Sequence, residues 1–471
     1  GYRLIAPVSR NMPEEPGQKG CPKPDLKEKP DSAATAVRDA HPWWVSTRAR
    51  LAMGLLIASG LVIGVLTAIQ PTEKAAVVQA PSQGPVPTVT IFPFDVLGDD
   101  PEQQYLARGL TADLIAQLSR LSGINVTAAS TAGGPPDANA DPSLEKRYEV
   151  WGGVRRDSDQ LKIELHLIEA VSGRQLWVER YERLFGDLFE IQDEIGTRLA
   201  QALSIRVTEV EQVRLAHRYT RSVAAYDLFL RAQSELLVRR KENNERAKDL
   251  YLQAVALDPS FARAYGGLAL IYAGDYRNQW AIDREKALAQ ALEFANTAVE
   301  IDPMLPELHW VLGYVKTQRR RHAEALAHLD QALSLRPGFA DALALKGGIK
   351  TYIGEPADTV PLLRSAIRQN PAAGYLYFMT LGRAYFFLED QLLAVINLRE
   401  AVKRNPAILE VRVYLAAALE LKGDHEDAQW EAEEVRAIDP DFSAKVWLET
   451  YPIVDSRLDE QLIAALKRLG L

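Results

Sequence analysis

Six prolines divide the second half of the chain into nearly equal parts. Pro259, Pro303, Pro337, Pro371, Pro406 and Pro440 follow one another at spacings of 44, 34, 34, 35 and 34 residues. Each stands just after a run with helical apolar spacing, where a residue without an amide hydrogen ends a helix. Internal positions keep the same period. Five residues before the prolines stand Ala254, Ala298, Ala332, Ala366, Ala401 and Val435, and twelve before stand Ala247, Ala291, Ala325, Thr359, Ala394 and Ala428. Small side chains at fixed places let paired helices approach closely. Gly313, Gly347, Gly382 and Ala416, twenty-four residues before the later prolines, add a small site on the first helix of each pair. A unit of this kind cannot bury its apolar face alone, so a core forms only when successive units stack.

A 34-residue period is that of the tetratricopeptide repeat (TPR). It predicts an all-α solenoid of about six units over residues 222–454, closed by an amphipathic capping helix at 455–471. The first spacing, 44, implies about ten inserted residues around GDYRNQWAIDREK. An enlarged turn is tolerated without any function, but here it carries Tyr276 and Trp280, the candidate partner contacts as exposed aromatics. The expected ligand of such an array is a protein or peptide in its groove. Trp310, Tyr314, Phe378 and Tyr385 fall at packing positions on first helices, and His309, His322, His328 and His425 are scattered.

Residues 88–210 read as an α/β domain. TVTIFPF is a β-branched, aromatic strand bounded by prolines, and strands follow at Ile124–Ala128, Tyr148–Val154, Gln160–Ile168 and Arg174–Tyr181. A helix from Gln104 to Leu121 has Leu106, Leu110, Leu114 and Leu118 on one face, with Thr111 and Asp113 on the other. Phe185 to Ala202 gives a second amphipathic helix. RRDSD reads as a hairpin link with Arg155 and Arg156 facing solvent. Asp95, Asp99, Asp100 and Glu102 cluster after the first strand, and the simpler reading of that cluster is a solvated loop rather than a cation site. No Ser/His/Asp order, H-E-x-x-H, P-loop or dinucleotide turn is present, so no catalytic residue, cofactor or metal site is predicted and the chain is expected not to be an enzyme. The one cysteine, Cys21, excludes an internal disulfide, and a net charge of −8 leaves no basic footprint for nucleic acid.

Ahead of that domain, LAMGLLIASGLVIGVLTAI (residues 51–69) carries no charge over 19 positions and predicts one transmembrane helix. Linkers precede it at 9–50 and follow it at 70–87. Arg38, Arg48 and Arg50 on its N-terminal side predict a cytoplasmic N-terminus and periplasmic C-terminal domains, that is, a single-pass protein of a bacterial inner membrane. Gly60 and Gly64 would let two such helices pair in a homodimer.

Three stretches resemble known families. GYRLIAPV (residues 1–8) resembles the last wing strand of OmpR/PhoB-type winged-helix DNA-binding domains, with Arg3 as a residue near DNA phosphate. FPFDVLGDDPEQQYLARGLTADLIAQLSRL and WGGVRRDSDQLKIELHLIEAVSGRQLWVERYERLFGDLFEIQDEI are similar to the TolB amino-terminal-like module. The order wing, linker, membrane helix, α/β module and repeats resembles the CadC/ToxR-like membrane regulators. That resemblance implies a one-component transcriptional regulator in which DNA is met only through a domain missing from this chain. Two alternatives stay open: the regulatory region of a class III adenylate/guanylate cyclase, and a membrane-tethered TPR scaffold.

Overall fold

The computed structural model describes residues 86–129, 147–205, 207–215, 217–370 and 372–471. The wing-like start at 1–8 with Arg3, the linker 9–50, the apolar run 51–69 and most of the linker 70–87 lie outside the described residues, as does the Gly/Pro-rich stretch 130–146.

The first part is a mixed six-stranded sheet. Strand β1 (Thr88–Ile91) runs parallel to both its neighbours, β3 (Asn125–Ala128) and β4 (Arg147–Asp157); the short β2 (Asp95–Val96) also pairs with β4. From β4 the chain continues as an antiparallel meander through β5 (Gln160–Glu169) and β6 (Arg174–Leu184). Alternation dictates which face is inside: Leu161, Ile163, Leu165 and Leu167 of β5 are buried, while the residues between them point away. Helices α1 (Gln104–Leu118) and α2 (Leu188–Ala202) cover that inner face with Leu106, Leu110, Leu114, Ile191, Ile195 and Leu199. Each such side chain contributes roughly 1.5–3 kcal/mol by leaving water. Gly152 sits where a Cβ would lie 2.7 Å from the Phe94 ring, which explains a glycine inside a strand.

Two expectations for this domain are corrected. Thr111 and Asp113 do not face solvent but are 8% and 7% exposed, because α1 is packed on both sides, by the sheet and by the repeats. Strand β4 extends to Asp157, so the hairpin turn shrinks to Ser158 and Asp159. Arg156 therefore belongs to the strand rather than the turn; it lies 3.6 Å over the Phe185 ring and pairs with Asp227 at 3.3 Å.

After a short helix α3 (Glu209–Leu215) the chain is helical. Six antiparallel pairs follow: α4 (Val223–Val238) with α5 (Lys241–Leu257), α6 (Ala262–Arg277) with α7 (Arg284–Ile301), and α8 (Pro306–Gln318) with α9 (His322–Leu335). The last three are α10 (Ala340–Tyr352) with α11 (Pro356–Gln369), α12 (Tyr375–Phe387) with α13 (Gln391–Arg404), and α14 (Leu409–Lys422) with α15 (His425–Ile438). The molecule is thus mostly a TPR-like solenoid. Its small positions act as expected of close helix pairs: a Cβ on Gly382 would lie 2.6 Å from Leu398, and one on Gly313 3.1 Å from Leu329. The inserted residues of the second unit are spread over three places. Helices α6 and α7 have 16 and 18 residues where α8 and α9 have 13 and 14, and the link grows from 319–321 to 278–283.

The membrane component of the expected fold is corrected. Among the described residues no helix is long and apolar enough to cross a membrane. The longest, α7, carries Arg284, Glu285, Lys286, Glu293 and Glu300. With the run at 51–69 outside the described residues, the transmembrane helix and the single-pass inner-membrane location derived from it have no support in the structure, and both are dropped.

Candidate protein-interaction groove

First helices of successive units line one face of a TPR-like array, and here they bring polar and aromatic side chains to a common centre. Arg277 at the end of α6, Tyr352 at the end of α10, Arg383 in α12 and Glu410 in α14 meet although they come from four different units. Arg277 and Glu410 are 3.3 Å apart, and Glu410 also pairs with Arg383 at 3.1 Å. Arg383 is 2% exposed; it donates to the Tyr352 hydroxyl at 2.8 Å and its guanidinium lies 4.4 Å over that ring. Beside them the Tyr314 hydroxyl is pushed up to about 12 by burial.

This centre is filled by the chain itself. Beyond α15 the repeat pattern stops: Pro452 lacks an amide hydrogen and disfavours helical backbone at Tyr451, and the β-branched Ile453 and Val454 prefer an extended course. The chain makes one short helix, α16 (Ala444–Leu448), turns at Glu449 and Thr450, and then runs through the groove without helix or strand to α17 (Ser456–Arg468). Along that path the units are met in chain order, from the second to the fourth. Gln279 donates to the Val446 carbonyl at 2.9 Å, and the Thr450 hydroxyl donates to the Arg277 carbonyl at 3.0 Å. Arg320 donates to the Tyr451 carbonyl at 3.0 Å, His322 Nε2 bonds the Pro452 carbonyl at 2.8 Å, and the Val454 amide donates to the Tyr352 carbonyl at 3.1 Å.

Tyr451 is the anchor. Its ring is fully buried under the Arg277 guanidinium at 4.3 Å, edge-on to Tyr352 and 4.6 Å from Trp447. Its hydroxyl donates to Glu410 and accepts from Arg383 Nη1 at 2.5 Å. The groove therefore offers side-chain donors to consecutive main-chain carbonyls, one carbonyl to a main-chain amide, and a pocket for an aromatic ring. That is the chemistry by which an extended peptide is held.

The two predicted contact residues lie at one edge of this groove. Tyr276 is half-buried and, with Ile282, Arg284, Glu449 and Thr450, lines an open cleft of about 520 Å³. Trp280 is also half-buried, its amide bonded to the Asp275 carbonyl at 2.9 Å. The enlarged turn thus faces the returning C-terminal segment. Of the scattered histidines, the rings of His309 and His328 stack at 5.8 Å, while His322 holds the segment. In the acidic loop, Asp100 caps a helical turn by accepting from the Glu102 amide at 3.0 Å. Sequence reading missed Arg277, Arg383, Glu410 and Tyr451; the signal within reach was TYPIVD, a proline and two β-branched residues where the period calls for another helix.

No protein-family model matches the chain, so the TolB-like and CadC/ToxR-like resemblances stand on their quoted residues. Among curated proteins the chain is 33% identical over 262 residues to "Putative adenylate cyclase 3" of Rhizobium meliloti, covering 54% of this chain and 44% of that protein. It is 24% identical over 211 residues to "Transcriptional regulator HilA" of Salmonella typhimurium, covering 44% of this chain and 37% of the regulator. The chain spans less than half the length of either relative. Among solved structures, a thermophilic TPR protein of Thermus thermophilus aligns at 19% identity over 42% of this chain and 99% of that one, with a TM-score of 0.35. YrrB, described as a TPR protein with an unusual peptide-binding site, aligns at 17% identity over 42% of this chain and 96% of its own, with a TM-score of 0.28.

Proposed function

We propose that this chain is the non-catalytic, partner-binding part of a larger signalling protein. Its solenoid receives a protein or peptide, and the α/β domain passes the result to an output domain. The observation that supports this best is the groove: side-chain donors and main-chain acceptors around an aromatic pocket, built from residues of several units. Two relatives of different output, one named a cyclase and one a transcriptional regulator, match the chain over parts of comparable size. A sensing part joined to interchangeable outputs accounts for both.

For the output, the wing-like GYRLIAPV favours transcription, as in a one-component regulator of the CadC/ToxR-like kind with a TolB-like module. The higher identity to the cyclase-named protein favours a class III cyclase instead. The coding sequence upstream of Gly1 separates them: a helix-turn-helix pattern running into GYRLIAPV supports the regulator, and a cyclase domain the alternative. The common reading is tested in cells carrying the whole protein with Arg263→Ala, which breaks the joint between the α/β domain and the solenoid. Altered target transcripts or altered cyclic AMP, each normalised to the amount of protein, is expected. Both outputs unchanged would sink the proposal.

A further inference from the structure

Residues 449–455 touch the groove in the manner of a bound peptide rather than of a repeat. Their main chain is read by Arg320, His322 and the Tyr352 carbonyl, and one side chain, Tyr451, fills the central pocket. Val454, in contrast, is 51% exposed, and Glu449 reaches the surface to pair with Arg284 at 3.2 Å. Both ends of the segment are tethered, by α16 on one side and by α17 packed on the last unit on the other. A tethered segment competes with any free ligand at the high effective concentration of an intramolecular reaction.

From this we infer that the segment Thr450–Asp455 is an internal pseudo-ligand that keeps the groove closed. The partner that opens it is an extended peptide of the same chemistry: an aromatic residue with a hydroxyl, a proline, two aliphatic residues and an acid. The tyrosine hydroxyl of such a peptide replaces that of Tyr451 between Glu410 and Arg383, and its carbonyls take over the bonds from Arg320 and His322. This rests on the reading of the solenoid as the partner-binding part, and it adds which peptide is bound and what must leave first.

The test uses the whole chain and a fluorescein-labelled peptide with the sequence of residues 448–456, followed by anisotropy. Tyr451→Phe and Pro452→Gly weaken the tethered copy and alter no side chain of the groove itself. Each is expected to bind the labelled peptide at least tenfold more tightly than the unaltered chain, and adding Arg320→Ala should remove the gain. Hydrogen exchange of the Val454 amide in the unaltered chain gives an independent reading, and faster opening than the α10 amides is expected. Equal or absent binding by all folded chains, or a Val454 amide that exchanges only with global unfolding, would overturn the inference. So would a doubled mass of the Tyr451→Phe chain without peptide uptake, which would assign the groove to a second copy. None of these readouts involves transcription or cyclic AMP, so this inference and the signalling proposal fail separately.

Discussion

Asp113, on the helix that covers the sheet, accepts a 2.8 Å hydrogen bond from the guanidinium of Arg263 on the first helix of the second repeat, 150 residues further along. The same carboxylate accepts from the Tyr226 hydroxyl, and Arg263 lies 4.2 Å over Tyr219 and 4.7 Å over Phe229. Both partners of the pair are nearly enclosed, with side chains 14% and 8% exposed. Arg263→Ala leaves an uncompensated buried carboxylate and is expected to cost about 3–5 kcal/mol. Urea unfolding measures this, and pairing the change with Asp113→Asn should restore part of the loss. A loss below about 1 kcal/mol, the range of exposed pairs, would mean that the joint is open in solution.

Tyr451→Phe removes one hydroxyl that serves Glu410 and Arg383 while keeping the ring. Leaving that buried charge pair short of one partner is expected to lower stability by about 1–3 kcal/mol. The drop should be visible in the guanidinium midpoint with no change in helical content. A midpoint equal to that of the unaltered chain would show that the pocket is hydrated.

Gly382→Ala places a methyl group against Leu398 where the two helices of the fifth unit cross. Overpacking of this kind is expected to cost about 1–3 kcal/mol. Gly374→Ala is the control, since nothing lies within 4 Å of its Cβ position. The thermal midpoints of the two variants should differ clearly, and equal midpoints would count against the close helix approach.

Burial holds His322 below the ordinary imidazole value of 6.5 and outweighs the bond to the Pro452 carbonyl, which acts the other way; burial does the same for His328, beside Lys316 and His309. A folded state that prefers the neutral ring is favoured above pH 6.5, where the unfolded ring is also neutral. As pH falls below 6.5 the unfolded chain takes up protons that the folded one resists, so stability declines until the folded rings protonate as well. The thermal midpoint should therefore fall between pH 7.5 and 5, and His322→Gln should reduce the slope. A flat profile over that interval would contradict the burial of these rings.

Glu211 answers to a lower window. Hydrogen bonds from the Ser122 and Thr208 amides, with smaller contributions from their hydroxyls, hold its carboxyl down at about 2 against an ordinary 4.5. Its stabilisation is complete above 4.5 and is lost as pH falls through 2. Glu211→Gln should flatten the acid limb of the stability curve between those values without moving the histidine-dependent step, a separation that thermal scans at closely spaced pH can resolve.

The parts of the fold that were legible in the sequence are those written at short range. Proline spacing and the alanines five and twelve residues before each proline report contacts inside one helical pair, so the helices were readable. So was the alternation of β5. Asp113 was misplaced because amphipathic spacing reveals that one face of a helix is buried, and says nothing of a second partner on the opposite face. The groove was hidden for a similar reason. Arg277 and Glu410 are 133 residues apart, and nothing local to either announces the other. Only Pro452, interrupting what would have been a further helix, marked the place where the chain turns back.

That turn back changes what sort of object the array is. An open stack of repeats touches only nearest neighbours and frays from its ends, each terminal unit melting at little expense to the rest. Here Thr450 is bonded to Arg277, 173 residues away, so the last segment is fastened to the second unit and the stack is clasped across its groove. A clasped stack cannot lose its last unit without also releasing the second. Its melting is drawn toward a single step, and its closure waits on contacts of long sequence separation, which places it among slower folders than its helical content alone would suggest.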